Sequence, residues 1–184
     1  MDYFTVEICG LSRRLPLMQV GRNTKIASFS ILGDVELVDR LADEMAQRIK
    51  KLDIQFDYIV GPEVKAVPLI HGIAKRLGQK RFVVCRKSIK PYMVNPIKII
   101  PLSYFPKHAK PLVVNGPDVE LLRGKRVVII DDVISSGVTM RMMSYLMEKV
   151  GAEVVGIFTA IKQGEQLDHF ENLYFISELP IFKK

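Results

Sequence analysis

The sequence predicts an α/β fold in which a twisted parallel sheet is flanked by helices. Short apolar runs, typical of buried strands, alternate with segments whose apolar residues recur at helical spacing. This alternation favours a parallel sheet with both faces covered. No internal repeat or linker divides the 184 residues, so we predict a single domain over residues 1–184.

The predicted helices begin and end at recognisable signals. Asp34 suits the N-cap of the first helix, Pro68 is tolerated only in the first turn of the second, and Gly78 ends that helix. The predicted helices are 33–51, 66–77 and 139–150, and the predicted core strands are 58–60, 82–85, 126–130 and 154–160. Residues 170–182 predict one more short strand or a covering flap.

A long segment between residues 87 and 116 is rich in proline and in basic residues. Residues 97–100 and 112–114 are expected to pair as an antiparallel hairpin, with a mobile tip at 104–108. Because long excursions inside a domain are usually functional or disordered, we predict a flexible loop over residues 87–111.

The net charge of +7 indicates an anionic ligand, either nucleic acid or a small molecule with several phosphates. The basic residues are spread along the chain, so charge alone does not decide between these two. The two cysteines, Cys9 and Cys85, form no metal or redox motif, which favours a reduced compartment. No apolar run approaches the ~18 residues of a membrane span and no secretory signal is evident, so we expect a cytoplasmic protein without a membrane partner.

The most informative string runs from 127 to 139, where four apolar residues lead into Asp131 and Asp132 and then into a loop before a helix. Loops at the carboxyl edge of a parallel sheet bind ligands, and backbone N–H groups at a helix start suit a phosphate. The two carboxylates suit ribose hydroxyls or a hydrated Mg²⁺. The predicted phosphate-binding residues are Ser135, Ser136, Gly137, Val138 and Thr139. A plain strand end followed by a helix cap is the simpler alternative, and the complete string disfavours it.

This string resembles the phosphoribosyl pyrophosphate (PRPP) binding motif of the type I phosphoribosyltransferases: a hydrophobic strand, two acids and a Thr-Gly-type phosphate loop. Ser136 stands where threonine is usual, and the hydroxyl is kept. The resemblance implies a Rossmann-like core over residues 34–161. It also implies a small hood, built from residues 1–33 and 162–184, that covers the base.

Two further segments extend the resemblance toward the adenine phosphoribosyltransferases. Residues 61–66 correspond to the loop that binds pyrophosphate, and residues 86–91 resemble the basic start of the flexible loop. The resemblance implies pyrophosphate contacts from Glu63, Val64, Lys65, Arg86, Lys87 and Lys90. For residues 86–91, a solvated basic loop is the simpler alternative.

The implied reaction displaces pyrophosphate from C1 of PRPP by a purine nitrogen, with adenine as the preferred base and Mg²⁺ as the cofactor. Asp131 and Asp132 are the implied catalytic residues. The resemblance also implies that both contact the metal, directly or through water. Tyr104 matches a catalytic loop tyrosine, but no Asp or Glu lies between residues 88 and 117, and His108 is only a weak substitute. The predicted base-binding residues are Phe29, Ile31, Val133 and Lys162, although Phe29 and Ile31 are also suitable core residues.

Two alternative functions follow from the same residues. A lysine near Lys162 donates to the purine O6 in 6-oxopurine enzymes of the wider family, which would favour guanine, xanthine or hypoxanthine. The basic charge and the acid-free loop are compatible with a non-catalytic regulator that senses PRPP and binds nucleic acid. We do not favour nucleic acid as a partner. The family resemblance also implies a homodimer.

Overall fold

A five-stranded parallel sheet carries the site and has the strand order β10-β9-β8-β4-β5. The structure is a computed structural model that describes residues 2–101, 109–164, 167 and 170–183. The sheet strands are β4 (Tyr58–Pro62), β5 (Phe82–Cys85), β8 (Arg126–Ile134), β9 (Glu153–Gln163) and β10 (Leu173–Leu179). The predicted parallel α/β sheet is therefore confirmed.

A second, antiparallel sheet of four strands forms the hood sheet, with the order β1-β2-β3-β11. Its strands are β1 (Tyr3–Ile8), β2 (Leu11–Gln19), β3 (Thr24–Ala27) and β11 (Ile181–Lys183). The last strand pairs with β3 and thereby joins the C-terminal segment to the N-terminal one. The predicted hood from both terminal segments is confirmed, except that β10 from the C-terminal segment belongs to the central sheet.

In the part of the chain that the structure describes, four helices and a short hairpin cover the two faces of the central sheet. The helices are α1 (Val35–Lys51), α2 (Val67–Arg76), α3 (Gly116–Leu122) and α4 (Val138–Val150), and the hairpin pairs β6 (Ile97–Ile99) with β7 (Leu112–Val114). The Asp34 carboxylate caps α1 by accepting from the Leu37 N–H at 3.0 Å, as the sequence predicts. Among the described residues, no helix has the length and apolar character required to cross a membrane.

The central strands contribute side chains to two separate cores. On β8, Val128 and Ile130 pack with α1, α2 and the hood sheet, whereas Val127 and Ile129 pack with α3, α4 and the hairpin. Alternate residues of a strand point to opposite faces, so a strand covered on both sides is apolar at every position. This explains the unbroken apolar run that leads into Asp131.

The predicted ends of two central strands are wrong, because both strands continue into polar residues. Strand β8 continues four residues beyond its predicted end at Ile130 and includes the two acids, and β9 continues past Ala160 to Gln163. Polar residues inside a strand conceal its end when only apolar runs are counted. The N-terminal strands and α3 are not predicted by the sequence patterns. Tyr104, His108 and the rest of the predicted tip lie outside the described residues.

Candidate active site

Asp131 and Asp132, here called the acid pair, lie at the carboxyl end of β8, and each is only 6% exposed. The Asp132 N–H donates to Asp131 Oδ1 at 2.8 Å, while Asp132 Oδ2 is buried without a hydrogen-bond partner among the described residues. Burial raises the pKa of Asp131 well above its ordinary value, and the charge of Asp132 adds to the effect. Two buried acids with an unpaired oxygen favour a ligand that supplies hydroxyl donors or a cation.

The Ser/Gly/Thr loop, residues 135–139, turns the chain from β8 into α4. Gly137 is the N-cap of α4 with φ of +70°, and no side chain caps the helix start. A Cβ at Gly137 would lie 2.7 Å from a Phe170 ring carbon, so both the backbone and the space require glycine. The open N–H groups and the helix dipole make this loop suitable for a phosphate dianion. All five predicted phosphate-binding residues line one cavity of ≈ 40 Å³.

The Glu63 loop, residues 61–66, follows β4 and is held against the basic segment after β5. Its Glu63–Val64 peptide bond is cis. The Glu63 carboxylate accepts from the Lys87 N–H at 2.8 Å and pairs with Arg86 Nε at 2.5 Å. Burial acts to raise the pKa of Glu63, but the Lys87 N–H and the Arg86 charge outweigh it, so that the pKa lies below its ordinary value. An ionised Glu63 therefore connects the two segments.

The predicted pyrophosphate-binding cations occupy different environments. Lys65 and Lys87 line the main cavity, defined below, whereas Arg86 is engaged by Glu63. Lys90 Nζ contacts Ser88 Oγ at 2.7 Å, and Lys90 is not one of the described residues that line the cavities at this edge. Lys110, which the sequence motifs do not single out, lines a ≈ 270 Å³ cavity beside the Ser/Gly/Thr loop.

The main cavity, with a volume of ≈ 440 Å³, unites segments that are distant in the sequence. It is lined by Ile26, Ala27, Ser28, Phe29, Pro62, Glu63, Val64, Lys65, Ala66, Lys87, Asp131, Asp132, Val133, Ser135, Thr139 and Gln163. The parallel strands β4 and β8 are neighbours, so their carboxyl ends bring the Glu63 loop beside the acid pair. The hood sheet closes the opposite side of the cavity.

The four residues predicted to contact a base separate into two groups. Val133 and Phe29 line the main cavity, Phe29 being largely buried. Ile31 is 0% exposed and belongs to the core, so the predicted base contact of Ile31 is corrected. Core packing, the simpler alternative, accounts for its position.

The predicted base contact of Lys162 is also corrected, because this residue does not line the main cavity. Its Nζ pairs with Glu178 Oε1 at 2.7 Å on the adjacent strand β10 and lies 5.3 Å from the centre of the Phe175 ring. The next residue, Gln163, lines the main cavity instead. Strand periodicity is the signal that identifies it: Gln163 shares its strand face with Ile161 and Thr159, and Lys162 lies on the other.

The acid pair fits a hydrated Mg²⁺, which Asp131 and Asp132 would hold. Among the described residues, no group of three or more His, Cys, Asp and Glu side chains surrounds a common point. An open pair with one unpartnered oxygen suits Mg²⁺, which keeps several waters and is commonly held by one or two carboxylates together with substrate phosphates.

Comparisons with known proteins agree with this geometry. The family described as "Phosphoribosyl transferase domain" matches residues 30–181. An orotate phosphoribosyltransferase of Podospora anserina is 33% identical over 133 residues, which are 72% of this chain and 53% of that protein. An adenine phosphoribosyltransferase of Lachnoclostridium phytofermentans is 33% identical over 128 residues, which are 70% of this chain and 69% of that protein. This chain thus spans about half the length of the orotate relative.

A relative named for a different purine base is also similar to this chain, and solved structures share its fold. A hypoxanthine/guanine phosphoribosyltransferase of Methanococcus voltae is 31% identical over 127 residues, 69% of this chain and 64% of that protein. The crystal structure of adenine phosphoribosyltransferase from Thermoanaerobacter pseudethanolicus superposes with a TM-score of 0.67 at 22% identity, covering 89% of this chain and 95% of that one. The chain therefore belongs to the phosphoribosyl transferase domain family and has the type I fold of its adenine phosphoribosyltransferase-like members.

Proposed function

We propose that this protein transfers ribose 5-phosphate from PRPP to a purine base, with adenine preferred, and releases pyrophosphate. The observation that carries the proposal is the convergence of the acid pair, the Ser/Gly/Thr loop, the Glu63 loop and the hood sheet around one cavity of ≈ 440 Å³. Each of these four parts matches one part of the two substrates. Orotate and 6-oxopurines are the competing bases, since similar relatives carry those names.

The Ser/Gly/Thr loop would bind the 5′-phosphate through backbone N–H groups at the start of α4 and through its hydroxyls. The acid pair would accept hydrogen bonds from the ribose hydroxyls and thereby fix the orientation of C1. Bound Mg²⁺ would neutralise phosphate charge, with Asp131 and Asp132 as its nearest protein groups. Positioning of this kind lowers the barrier by holding the two reactants in an attacking geometry.

In the reaction, a purine ring nitrogen forms a bond to C1 as the bond from C1 to the pyrophosphate oxygen breaks, and the proton that the purine ring loses leaves with the pyrophosphate. Negative charge then accumulates on the departing pyrophosphate. Lys65 and Lys87, which line the cavity, are placed to stabilise that charge. We expect Tyr104 and Lys90 to contribute when the loop of residues 87–111 closes over the substrates and excludes water.

The test is a parallel assay of adenine, hypoxanthine, guanine, xanthine and orotate with PRPP and Mg²⁺. Pyrophosphate release and chromatographic detection of the nucleotide should both depend on PRPP, and adenine should give the largest kcat/KM. Omission of each substrate in turn is the control for PRPP hydrolysis. Absence of a nucleotide product with all five bases would overturn the proposal.

We also propose that the protein acts as a homodimer in the cytoplasm. Apolar side chains are exposed on this chain, among them Val35 at 81% and Val64 at 58%, and association of two copies would remove such surface from water. Light scattering at micromolar concentration should give twice the mass of 20.9 kDa. A monomer mass at that concentration would contradict the dimer without affecting the proposed reaction.

A further inference from the structure

Gln163 is the last residue of β9 and is buried at the side of the main cavity that the hood sheet covers. It is 5% exposed and lines the cavity together with Ala27, Phe29 and Val133. A buried amide has to satisfy one carbonyl oxygen and two N–H bonds, and each group left unpaired is unfavourable. The partners of this amide therefore define what the cavity accepts next to it.

The orientation of the amide is fixed by the backbone of the hood sheet. Gln163 Nε2 donates to the carbonyl oxygen of Ala27 at 3.0 Å. A rotation of the amide by half a turn would exchange nitrogen for oxygen. It would replace this hydrogen bond with a contact between two acceptor oxygens. Ala27 thus holds the amide in one of its two orientations.

The remaining oxygen of the amide is open to the cavity. Among the residues that the structure describes, no donor contacts Gln163 Oε1. This oxygen also does not belong to the fully buried polar atoms that lack a partner, so it is in contact with open space. Gln163 itself lines the cavity, so Oε1 is accessible from there. The cavity wall consequently offers an acceptor at a defined position, and Nε2 keeps a second hydrogen.

We propose that Gln163 determines the choice of base, an inference that rests on the proposed function and specifies it. Oε1 accepts a hydrogen bond from the exocyclic amino group of a 6-aminopurine, and the second Nε2 hydrogen donates to the adjacent ring nitrogen. A carboxamide pairs with the adenine edge in this way in nucleic-acid recognition. Val133 and Phe29 supply the apolar contacts beside it.

The fixed orientation is what excludes a 6-oxopurine. Such a base presents a carbonyl oxygen where adenine presents an amino group, so two acceptors would face each other at Oε1. A free amide would rotate to accommodate either base, but rotation here sacrifices the hydrogen bond to Ala27. Sites built on directed hydrogen bonds discriminate far more strongly than apolar pockets, because a wrong ligand leaves buried polar groups unpaired.

The test compares bases in the Gln163→Met variant, which keeps the length of the side chain and removes both polar groups. The ratio of kcat/KM for adenine to that for hypoxanthine should fall at least about tenfold. A purely structural role would reduce both values in parallel and leave the ratio unchanged. Gln55→Met removes an exposed amide far from the cavity and should preserve the ratio. An unchanged ratio in Gln163→Met would overturn the inference.

Nucleotide binding separates this inference from the proposed function. Calorimetry should show that the wild-type protein binds AMP more tightly than IMP, and that Gln163→Met loses this preference while its PRPP affinity persists. If turnover is absent but the AMP preference depends on Gln163, the proposed reaction fails and the inference stands. Equal binding of AMP and IMP by the wild type would overturn the inference alone. Turnover with a preference for 6-oxopurines would overturn both the inference and the proposed preference for adenine.

Discussion

The two ends of the main cavity are constructed differently. The end proposed to bind phosphate, here called the phosphate end, is a single continuous segment, 131–139, which offers two carboxylates, backbone N–H groups and a helix start. The end proposed to bind the base, here called the base end, combines residues of β8 and β9 with residues of the hood segment, which lie more than a hundred residues earlier in the chain. Apart from the acid pair and Gly137, an end whose binding groups belong to the backbone is insensitive to most substitutions. An end built from side chains changes its binding properties with each substitution. We therefore expect the group bound at the first end to stay the same, and the base accepted at the second end to change with substitution.

The strongest test of the phosphate end removes both carboxylates in the Asp131→Asn, Asp132→Asn variant. Two hydrogen bonds from ribose hydroxyls to charged acceptors are lost, which corresponds to about 3–6 kcal/mol or roughly 10²–10⁴ in PRPP affinity. Calorimetry with Mg²⁺ and PRPP measures the change. Unchanged affinity would mean that ribose binds elsewhere.

Asp131 should make the ligand-free protein less stable as pH rises. Burial raises the folded-state pKa of Asp131 above its ordinary value of 3.8, so between these two values the unfolded chain is ionised and the folded one is not. Stability conferred by this group is therefore greatest below pH 3.8 and decreases as pH rises toward the folded-state pKa. Thermal melts of Asp131→Asn should lack this component, whereas equal pH profiles for both proteins would contradict it.

Gly137→Ala tests whether the phosphate end depends on its backbone. Gly137 and Gly124 have nearly equal φ of +70° and +68°, but only Gly137 has neighbours that a Cβ would meet. Gly124→Ala should therefore cost about 1–2 kcal/mol from the backbone alone, and Gly137→Ala should cost more. We further expect roughly a tenfold weaker PRPP affinity for Gly137→Ala, because its helix start must shift. Equal stabilities of the two variants would show that Phe170 simply moves aside.

Glu63→Gln tests the connection between the two loops beside the leaving group. Removal of the negative charge next to Arg86 should strengthen pyrophosphate binding about 2–5-fold, since partly exposed pairs are worth up to about 1 kcal/mol. Glu44→Gln, which breaks the Glu44–Arg48 pair on α1, is the matched control and should leave this affinity unchanged. Weaker pyrophosphate binding in Glu63→Gln would indicate that Glu63 chiefly positions Arg86.

The low pKa of Glu63 predicts a second, opposite pH dependence. The folded-state value lies below the ordinary 4.5, so its contribution to stability is complete above pH 4.5 and disappears as pH falls through the folded-state pKa. Glu63→Gln should therefore lose stability relative to the wild type at neutral pH, by under about 1 kcal/mol, and match it in acid. Chemical denaturation at both pH values checks the sign.

The smallest expected effect belongs to Lys162→Met, which keeps the alkyl chain near Phe175 and removes the charge. The kcat/KM for each purine should change less than about twofold, because the side chain pairs with Glu178 away from the cavity. Stability should fall by under about 1 kcal/mol. A selective loss of activity with guanine or hypoxanthine would show that Lys162 contacts the base after all.

The difference between the ends also explains what the sequence could predict. Asp131 to Thr139 are consecutive, so local patterns of strand, loop and helix are sufficient to indicate their chemistry. Ala27 and Gln163 become partners only through the packing of β3 near the end of β9, which no local pattern encodes. The resemblance to 6-oxopurine enzymes suggests a role in base binding for Lys162, whereas the alternation of side chains along the strand places Gln163 on the other face, which lines the cavity.

The hydrogen bond from Gln163 to Ala27 crosses from the central sheet to the hood sheet, and β3 in turn is paired with β11 near the end of the chain. If Gln163 sets the base preference as proposed, that preference depends on how tightly the hood sheet packs against the central sheet. A peptide tag fused after Lys184, or loss of 181–184, would loosen β3 and release the amide, so that selectivity fades before turnover does. Residues 181–183 would thereby influence the proposed base preference although they do not line the cavity.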